Sequence, residues 1–302
     1  MKAVVLHEYG GPSKLKYEDF DDPKPGPGEV LIRVSAASIN PVDWKMRSGA
    51  AKDRFPVEFP GILGRDLSGI VREVGEGVTT FAPGDKVFTF SKATYAELAI
   101  AKASDLAHLP EGLDLVEAAA LPLVVATGEQ LISRAAKIQS GQTILITGAV
   151  GSVGRVAVLT AKKAGATVIA GVKKSQKETA KSIGADETLA LDDKDEIAKL
   201  GLIDAVADTV GGEIGETLLA KVKQGGIFAS VVGPPANATM HPTVTIVPIM
   251  AVPDPAKLVE LAQDVIAGRL IIPIDRMIPL SDAAEGQAAA EKGGIGKILL
   301  LA

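Results

Sequence analysis

The run Thr147-Gly148-Ala149-Val150-Gly151-Ser152-Val153-Gly154 carries the clearest chemistry in the chain. Small residues at these spacings let a backbone turn sharply and approach a pyrophosphate, whose charge then meets free N–H groups and the N-terminus of a following helix. The pattern is A-x-G-x-x-G, with Ala149 where the fingerprint has its first glycine. A methyl group is tolerated there if the turn keeps a negative φ. A second group lies downstream, where Val168-Ile169-Ala170-Gly171-Val172 leads into Lys173-Lys174-Ser175-Gln176-Lys177 with no acid before Glu178. An NAD site ordinarily ends that strand with Asp or Glu, which accepts from the ribose 2′-OH. Lys173, Lys174, Ser175 and Lys177 instead suit a 2′-phosphate, which needs cations and a hydroxyl. NADPH is therefore expected over NADH. The bland alternative is that these lysines are a solvated helix start.

These residues need elements to hold them. The Gly-rich turn follows the β-like run Thr143-Ile144-Leu145-Ile146, opens a helix-like run from Arg155 to Ala164, and leads to a second β-like run, Thr167-Val168-Ile169-Ala170. That order is the βαβ context the motif demands. The alternation continues with strands expected over 187–191, 203–208 and 226–232 and helices over 175–183 and 213–223, which predicts a parallel sheet covered by helices. Val116 to Ala136 reads as helical, broken by Pro122, and Pro255 to Gly268 as a further helix. Residues 1 to about 115 read as mostly β. Strand-like runs such as Val30–Val34 and Gly69–Val74 alternate with turns such as Pro83-Gly84-Asp85, suggesting a compact barrel. The tail holds strand-like pieces at 276–279 and 297–301 around a helix starting near Ser281.

Bulk properties narrow the function classes. At 302 residues the chain fits two domains better than one, and 47% hydrophobic content supports sizeable cores. A net charge of −5 without a basic run does not suggest nucleic-acid binding. Cysteine is absent, which removes disulfides, thiolate nucleophiles and Cys-ligated metals and agrees with a reducing, cytoplasmic setting. The apolar run near Met1 is too short for a signal peptide, and no run of 18 apolar residues exists to span a membrane.

The whole chain resembles the medium-chain dehydrogenases/reductases, in their zinc-independent, quinone-oxidoreductase (zeta-crystallin-like) branch. The resemblance rests on Pro25-Gly26-Pro27-Gly28-Glu29-Val30, on Asn40-Pro41-Val42-Asp43 with Arg47 and Gly49, and on Pro60-Gly61 through Gly64, Asp66 and Gly69. It continues in Pro83-Gly84-Asp85-Lys86-Val87, the Gly-rich turn and Gly293-Gly294-Ile295-Gly296-Lys297-Ile298. It implies an α/β fold: a GroES-like β-barrel catalytic domain over 1–115, completed by 270–302, and a Rossmann doubly wound parallel sheet over 116–269. The active site is then expected in the interdomain cleft, at the carboxyl ends of the parallel strands. By resemblance Thr127 stands on the nicotinamide side, Lys177 and Ser175 at the 2′-phosphate, and Val232 and Gly233 at a strand end near the cofactor. A homodimer is expected by analogy, through an edge strand at Thr245 to Met250.

Zinc members of the superfamily hold a catalytic metal with Cys, a Gly-His-Glu histidine and a second Cys. Asn40, Gly64-Arg65-Asp66 and the Val124-Val125 region stand at those places here, and His7, His108 and His241 show no ligand spacing. An amide, a guanidinium and an aliphatic side chain cannot hold zinc tightly, so no metal is expected. Metal-free hydride transfer suits an electron-poor acceptor, a quinone or an α,β-unsaturated carbonyl, which takes hydride at carbon and places charge on a remote oxygen. The substrate-side candidates are Asn40, as a donor to that oxygen, with Asp43, Arg47 and Arg65. Asp43 has a structural alternative, ordering its loop or pairing with Arg47 or Arg65. Trp44 would wall a pocket or simply pack, and Tyr95 reads as core or surface first. Two competing functions are an NADPH-binding sensor or interaction protein with little turnover, and a methyltransferase, against which the lysines and GroES-like motifs argue.

Overall fold

The computed structural model describes residues 1–294 and 296–302; Ile295, within the Gly293–Ile298 motif, lies outside the described residues. Two compact units result, one formed by Met1–Leu123 with Pro253–Ala302 and the other by Val124–Val252.

The first unit is built around the strand Glu29–Ser38, which pairs antiparallel with Asp66–Val74, Leu98–Lys102 and Lys297–Leu301. One strand serves three neighbours because register shifts at Leu31/Ile32 and Val34/Ala36 bend it, as β-bulges do. Gly69 permits the closest approach, since a Cβ there would lie 2.2 Å from the Arg33 carbonyl oxygen. Val30, Ile32 and Val34 alternate inward and meet Leu67, Val71 and Val87, while Leu31 and Ala37 on the opposite face are buried too, so the strand is covered on both sides over most of its length. A smaller sheet joins Leu15–Asp19, Lys2–Leu6 and Gly61–Ile62.

The limits of this unit differ from those expected. It runs to Leu123 rather than 115, because Ala118, Ala119 and Ala120 of the turn Glu117–Ala120 are buried against Glu29–Ser38 and Asp66–Val74. The chain returns at Pro253 rather than at 270. The helix Pro255–Ile266, capped by Asp254 accepting from Lys257 N–H at 2.9 Å, packs beside the strand Ala107–His108. Its amphipathic pattern reports that it covers something, not which unit it covers.

The second unit is a six-stranded parallel sheet. Its spatial order is Glu187–Ala190, Thr167–Val172, Thr143–Thr147, Ile203–Asp208, Val222–Ser230 and Thr245–Pro248. This is the doubly wound Rossmann arrangement, with the order reversing at Thr143–Thr147. The helix Ser152–Lys163 buries Ala157, Val158 and Ala161, in one cluster with Ile144, Ile146 and Val168. Two departures have local causes. The helix expected over 213–223 ends at Leu219, and the next strand begins early, at Val222, with a bulge before Ile227 that includes Gly225 at φ 78°. The helix Lys194–Lys199 went unforeseen because it buries only Ile197, too little to show a period. Among the described residues no helix is long and apolar enough to cross a membrane.

The last strand is fixed to the first unit by a buried charge. Lys297, 6% exposed, donates to Asn40 Oδ1 at 2.7 Å and Ile39 O at 3.2 Å, with Asp66 Oδ2 at 3.5 Å. Burial pulls its ammonium pKa down, and the Asp66 charge opposes that. Removing one member strands the other, so Lys297→Met is expected to lower unfolding free energy by about 3–5 kcal/mol. Denaturant unfolding measures this, and a loss below about 1 kcal/mol would show that backbone pairing alone holds the strand.

Candidate functional site

In the first unit the polar residues singled out by sequence come together, but mostly engage one another. Asp66 is 0% exposed. Its Oδ2 accepts from Ser38 Oγ at 2.6 Å and Asn40 Nδ2 at 2.8 Å, and its Oδ1 from Leu123 N–H at 2.7 Å. Asn40, 1% exposed, also donates to Ser38 O at 3.3 Å while its Oδ1 takes the Lys297 ammonium. Its amide is thus engaged at both ends, and the expected donation to a substrate oxygen has no free N–H to make it. Asn40 acts instead as the N-cap of the helix Pro41–Ser48.

Asp43 closes that first turn by accepting from Asn40 N–H at 2.8 Å, half of a capping box. The same Oδ2 accepts from Tyr95 Oη at 2.8 Å. The structural alternative for Asp43 is what the contacts show, with tyrosine rather than arginine as partner. Its Oδ1 is buried without a partner. Burial pushes the Asp43 carboxyl up to about 7, against the pull of Tyr95 and the Asn40 N–H. Burial also drives the Tyr95 phenol well above its ordinary range, reinforced by the Asp43 charge. Arg47 is directed elsewhere, to Gln287 Oε1 and Glu291 Oε2, both at 2.8 Å. Trp44 packs against the core that contains Leu63 and Tyr95.

Arg65 differs from these. Its carbonyl is fixed by Ser91 N–H at 2.7 Å, but its guanidinium has no hydrogen bond or ion pair among the described residues and lies 5.5 Å from the Phe55 ring centre. Sequence reasoning missed the Asp66–Lys297 pair and the Asp43–Tyr95 bond, although Asp66 and Lys297 both stood in quoted motifs. Their signal was a buried-type position holding a charge, which a single sequence does not mark.

In the second unit the Gly-rich turn lies at the carboxyl edge of the sheet. Gly148 takes φ 62°, and a Cβ there would meet Thr209 Oγ1 at 2.5 Å. Ala149 is not among the residues with positive φ, so its methyl group is accommodated, as expected. A Cβ on Gly154 would lie 2.2 Å from Gly148 O and 2.6 Å from Ala149 Cα, so helix and turn meet backbone to backbone. Gly151 caps the helix without a side chain, and the N–H groups of Ser152, Val153 and Gly154 have no acceptor among the described residues. An uncapped helix start with free donors fits a pyrophosphate. Gly128, next to Thr127 in sequence, lies against this turn: a Cβ on it would meet Val153 O at 2.6 Å.

The edge is organised by Asp208, 1% exposed, the last residue of the strand Ile203–Asp208. It accepts from Thr147 Oγ1 at 2.8 Å, Ser230 Oγ at 3.0 Å and the Val210 and Gly211 N–H groups at 3.1 and 3.0 Å. Ser230 Oγ in turn accepts from the Val232 and Gly233 N–H groups, both at 3.2 Å. The lysine group is less free than its sequence implies. Lys177 Nζ donates to both Glu196 oxygens at 2.6 and 2.8 Å, holding that carboxyl below its usual range, and Lys174 Nζ reaches Asp193 at 3.2 Å. Lys173 and Ser175 are exposed, with no side-chain partner among the described residues.

Comparison with known proteins fits this picture. The chain matches the alcohol dehydrogenase GroES-like domain over residues 26–111 and the zinc-binding dehydrogenase domain over residues 152–251. It is 32% identical to the chloroplast envelope quinone oxidoreductase homolog of Arabidopsis thaliana, over 99% of this chain and 98% of that one. With the chloroplastic quinone-oxidoreductase homolog of Spinacia oleracea it shares 37% identity over 63% of this chain and 60% of the relative, less than two thirds of its length. The solved quinone oxidoreductase of Coxiella burnetii superposes with a TM-score of 0.89 at 30% identity, covering 100% and 99% of the two chains. A mycobacterial structure solved with NADPH superposes at 0.86 with 26% identity over the whole of both chains. The chain belongs to the medium-chain dehydrogenase/reductase family, in its quinone-oxidoreductase branch.

Two outcomes follow from this geometry. Gly154→Ala is expected to weaken dinucleotide binding at least about tenfold and lower the melting temperature by several degrees, because the new methyl group must displace backbone. Fluorescence titration with NADPH measures the first effect, and unchanged affinity would remove the turn from the binding site. Asp43 keeps its proton in the fold up to about pH 7, whereas the unfolded chain releases it near 3.8. Its contribution to stability is therefore lost as pH rises between those values, by on the order of 4 kcal/mol at most, and is constant above them. Asp43→Asn should flatten the stability profile across that window, and identical profiles for the two proteins would show that Asp43 ionises normally.

Proposed function

We propose that this chain is an NADPH-dependent reductase that passes hydride to a quinone or an α,β-unsaturated carbonyl without a metal. The carrying observation is the uncapped, glycine-lined helix start at Gly148–Gly154, whose free N–H groups point to a pyrophosphate. NADPH supplies the hydride when bound. Ser152, Val153 and Gly154 hold the pyrophosphate; Thr127 stands at the nicotinamide side, and Val232 and Gly233 are held at a strand end by Ser230. Lys173 and Ser175 supply free donors for the 2′-phosphate. Lys177 and Lys174 serve there once the phosphate displaces Glu196 and Asp193.

Zinc does not fit the residues at the family's metal position. Asn40 Oδ1 is occupied by the Lys297 ammonium at 2.7 Å, Arg65 adds a second fixed cation, and the chain has no cysteine. Two of the three histidines are engaged elsewhere: His7 binds Glu18 at 2.7 Å and His108 stacks on Phe81 at 4.5 Å. A conjugated acceptor removes the need for a Lewis acid, since its developing charge sits on a remote oxygen that water can protonate. The outer side of Thr245–Pro248 has no strand partner among the described residues, which supports a homodimer as the working form.

The test is NADPH oxidation in chelator-treated buffer, with an ortho-quinone and a short enone in parallel and NADH as control. Chelator-resistant, NADPH-preferring turnover is expected, with Glu196→Gln raising the preference several-fold by freeing Lys177. No turnover despite tight NADPH binding would instead favour the sensor reading.

A further inference from the structure

The network that engages Asn40, Asp43 and Asp66 leaves Arg65 with a charge and no counter-ion. Arg65 Nε is sealed from solvent without a partner, whereas its two terminal nitrogens are not sealed and carry no hydrogen bond to a described residue. The guanidinium therefore presents its open fork outward from an anchored stem. Its backbone is fixed on three counts. Ser91 N–H binds the Arg65 carbonyl at 2.7 Å, Asp66 is locked by Ser38, Asn40 and Leu123, and Gly64 at φ 96° lies where a Cβ would meet Thr94 Oγ1 and Tyr95 Cδ1, both at 2.4 Å.

A second cation shares the place. The Arg54 Cζ lies 5.4 Å from the centre of the Phe55 ring and the Arg65 Cζ 5.5 Å from the same ring. Neither arginine has an ion pair among the described residues, although exposed Asp53 and Glu58 stand in the same loop. Two unpaired arginines about one ring form a surplus of positive charge in a chain whose net charge is −5. A neutral acceptor would leave that surplus uncompensated. A planar carboxylate would answer it, because the guanidinium fork binds two carboxylate oxygens side by side and the ring face packs against the carbon skeleton next to it.

We propose that Arg65, backed by Phe55 and Arg54, is a carboxylate-recognition element, so that the preferred acceptor is an enone carrying a carboxylate. This rests on the reductase reading above. The carboxylate is a handle and is unchanged by the reaction. Hydride from NADPH forms the new C–H bond at the β-carbon, the C=C pair moves towards the ketone, a proton from water completes the α-carbon, and NADP⁺ is released.

The experiment compares trans-3-benzoylacrylate with its methyl ester, two acceptors with the same conjugated ketone, in the native chain and in Arg65→Met and Arg65→Lys. The native kcat/KM ratio of acid to ester should be about tenfold or more, collapse towards unity in Arg65→Met and be partly kept in Arg65→Lys. Equal rates for acid and ester in the native chain, or an equal loss for both in Arg65→Met, overturns the proposal, since a merely structural arginine lowers both together. If neither acceptor is reduced, the enone form of the reductase reading fails and calorimetry with the saturated acid, 3-benzoylpropionate, decides the site separately. Binding weakened about tenfold in Arg65→Met supports it, and no binding to the native chain overturns it.

Discussion

A carboxylate with no exposed surface must find all its compensation inside the protein, and Asp66 sets the terms for the first unit. Ionised and unpaired, it would cost several kcal/mol. Donors come to it from Ser38 and Asn40 on the central strand and its exit, from the Leu123 N–H and from Lys297 in the last strand. Residues far apart in sequence are thereby obliged to meet, which is why the chain's end must return to the domain built by its beginning. The same requirement decides what the neighbouring polar groups can do. Asn40 supplies donors inward and accepts from Lys297, so its chemistry is positional. Asp43, reached by only two donors and left with an empty oxygen, gains a proton instead of a counter-ion.

The second unit meets the same constraint without a cation. Asp208 is satisfied by two hydroxyls, Thr147 and Ser230, and two backbone N–H groups. Because those hydroxyls end the strands on either side of it, the bonds align three strand ends and set where the following loops begin. Gly148 and Thr209 then come so close that only glycine fits, and Thr209 Oγ1 donates back to Thr147 O at 2.7 Å. The free helix donors are thus presented by a rim held by hydrogen bonds, the preorganisation a pyrophosphate site requires.

Features with a period or a forced backbone were legible in the sequence. The strands Thr167–Val172 and Ile203–Asp208 fall where alternation placed them, and Gly154 does what the motif demands. What escaped was decided by partners remote in sequence. The helix Pro255–Ile266 shows an apolar face whichever unit it covers. Asp43 next to a sequence-near Arg47 looks like an ion pair, yet the fold carries Arg47 to Gln287 and Glu291 and brings Tyr95 to Asp43. Asn40 looks like a donor awaiting a substrate until Lys297 and Asp66 are placed around it.

The lysines after Val172 show the same limit in a graded form. Sequence displays cations and no acid at the strand end, while the fold brings Asp193 and Glu196 up from the start of the helix Lys194–Lys199 to meet two of them. Such pairs, a quarter to two thirds exposed on the lysine side, are weak in water. A phosphate carries about two charges and three acceptor oxygens against the single charge of a carboxylate, so it can displace either acid from its lysine. Lys173 has no acid to give up, and Ser175 has no competing bond. Cofactor preference is then a contest between charges of like sign for the same cations. On the proposed NADPH reading, the acids would not abolish a 2′-phosphate site; they would set how much of the phosphate's attraction survives as selectivity against a nucleotide lacking it.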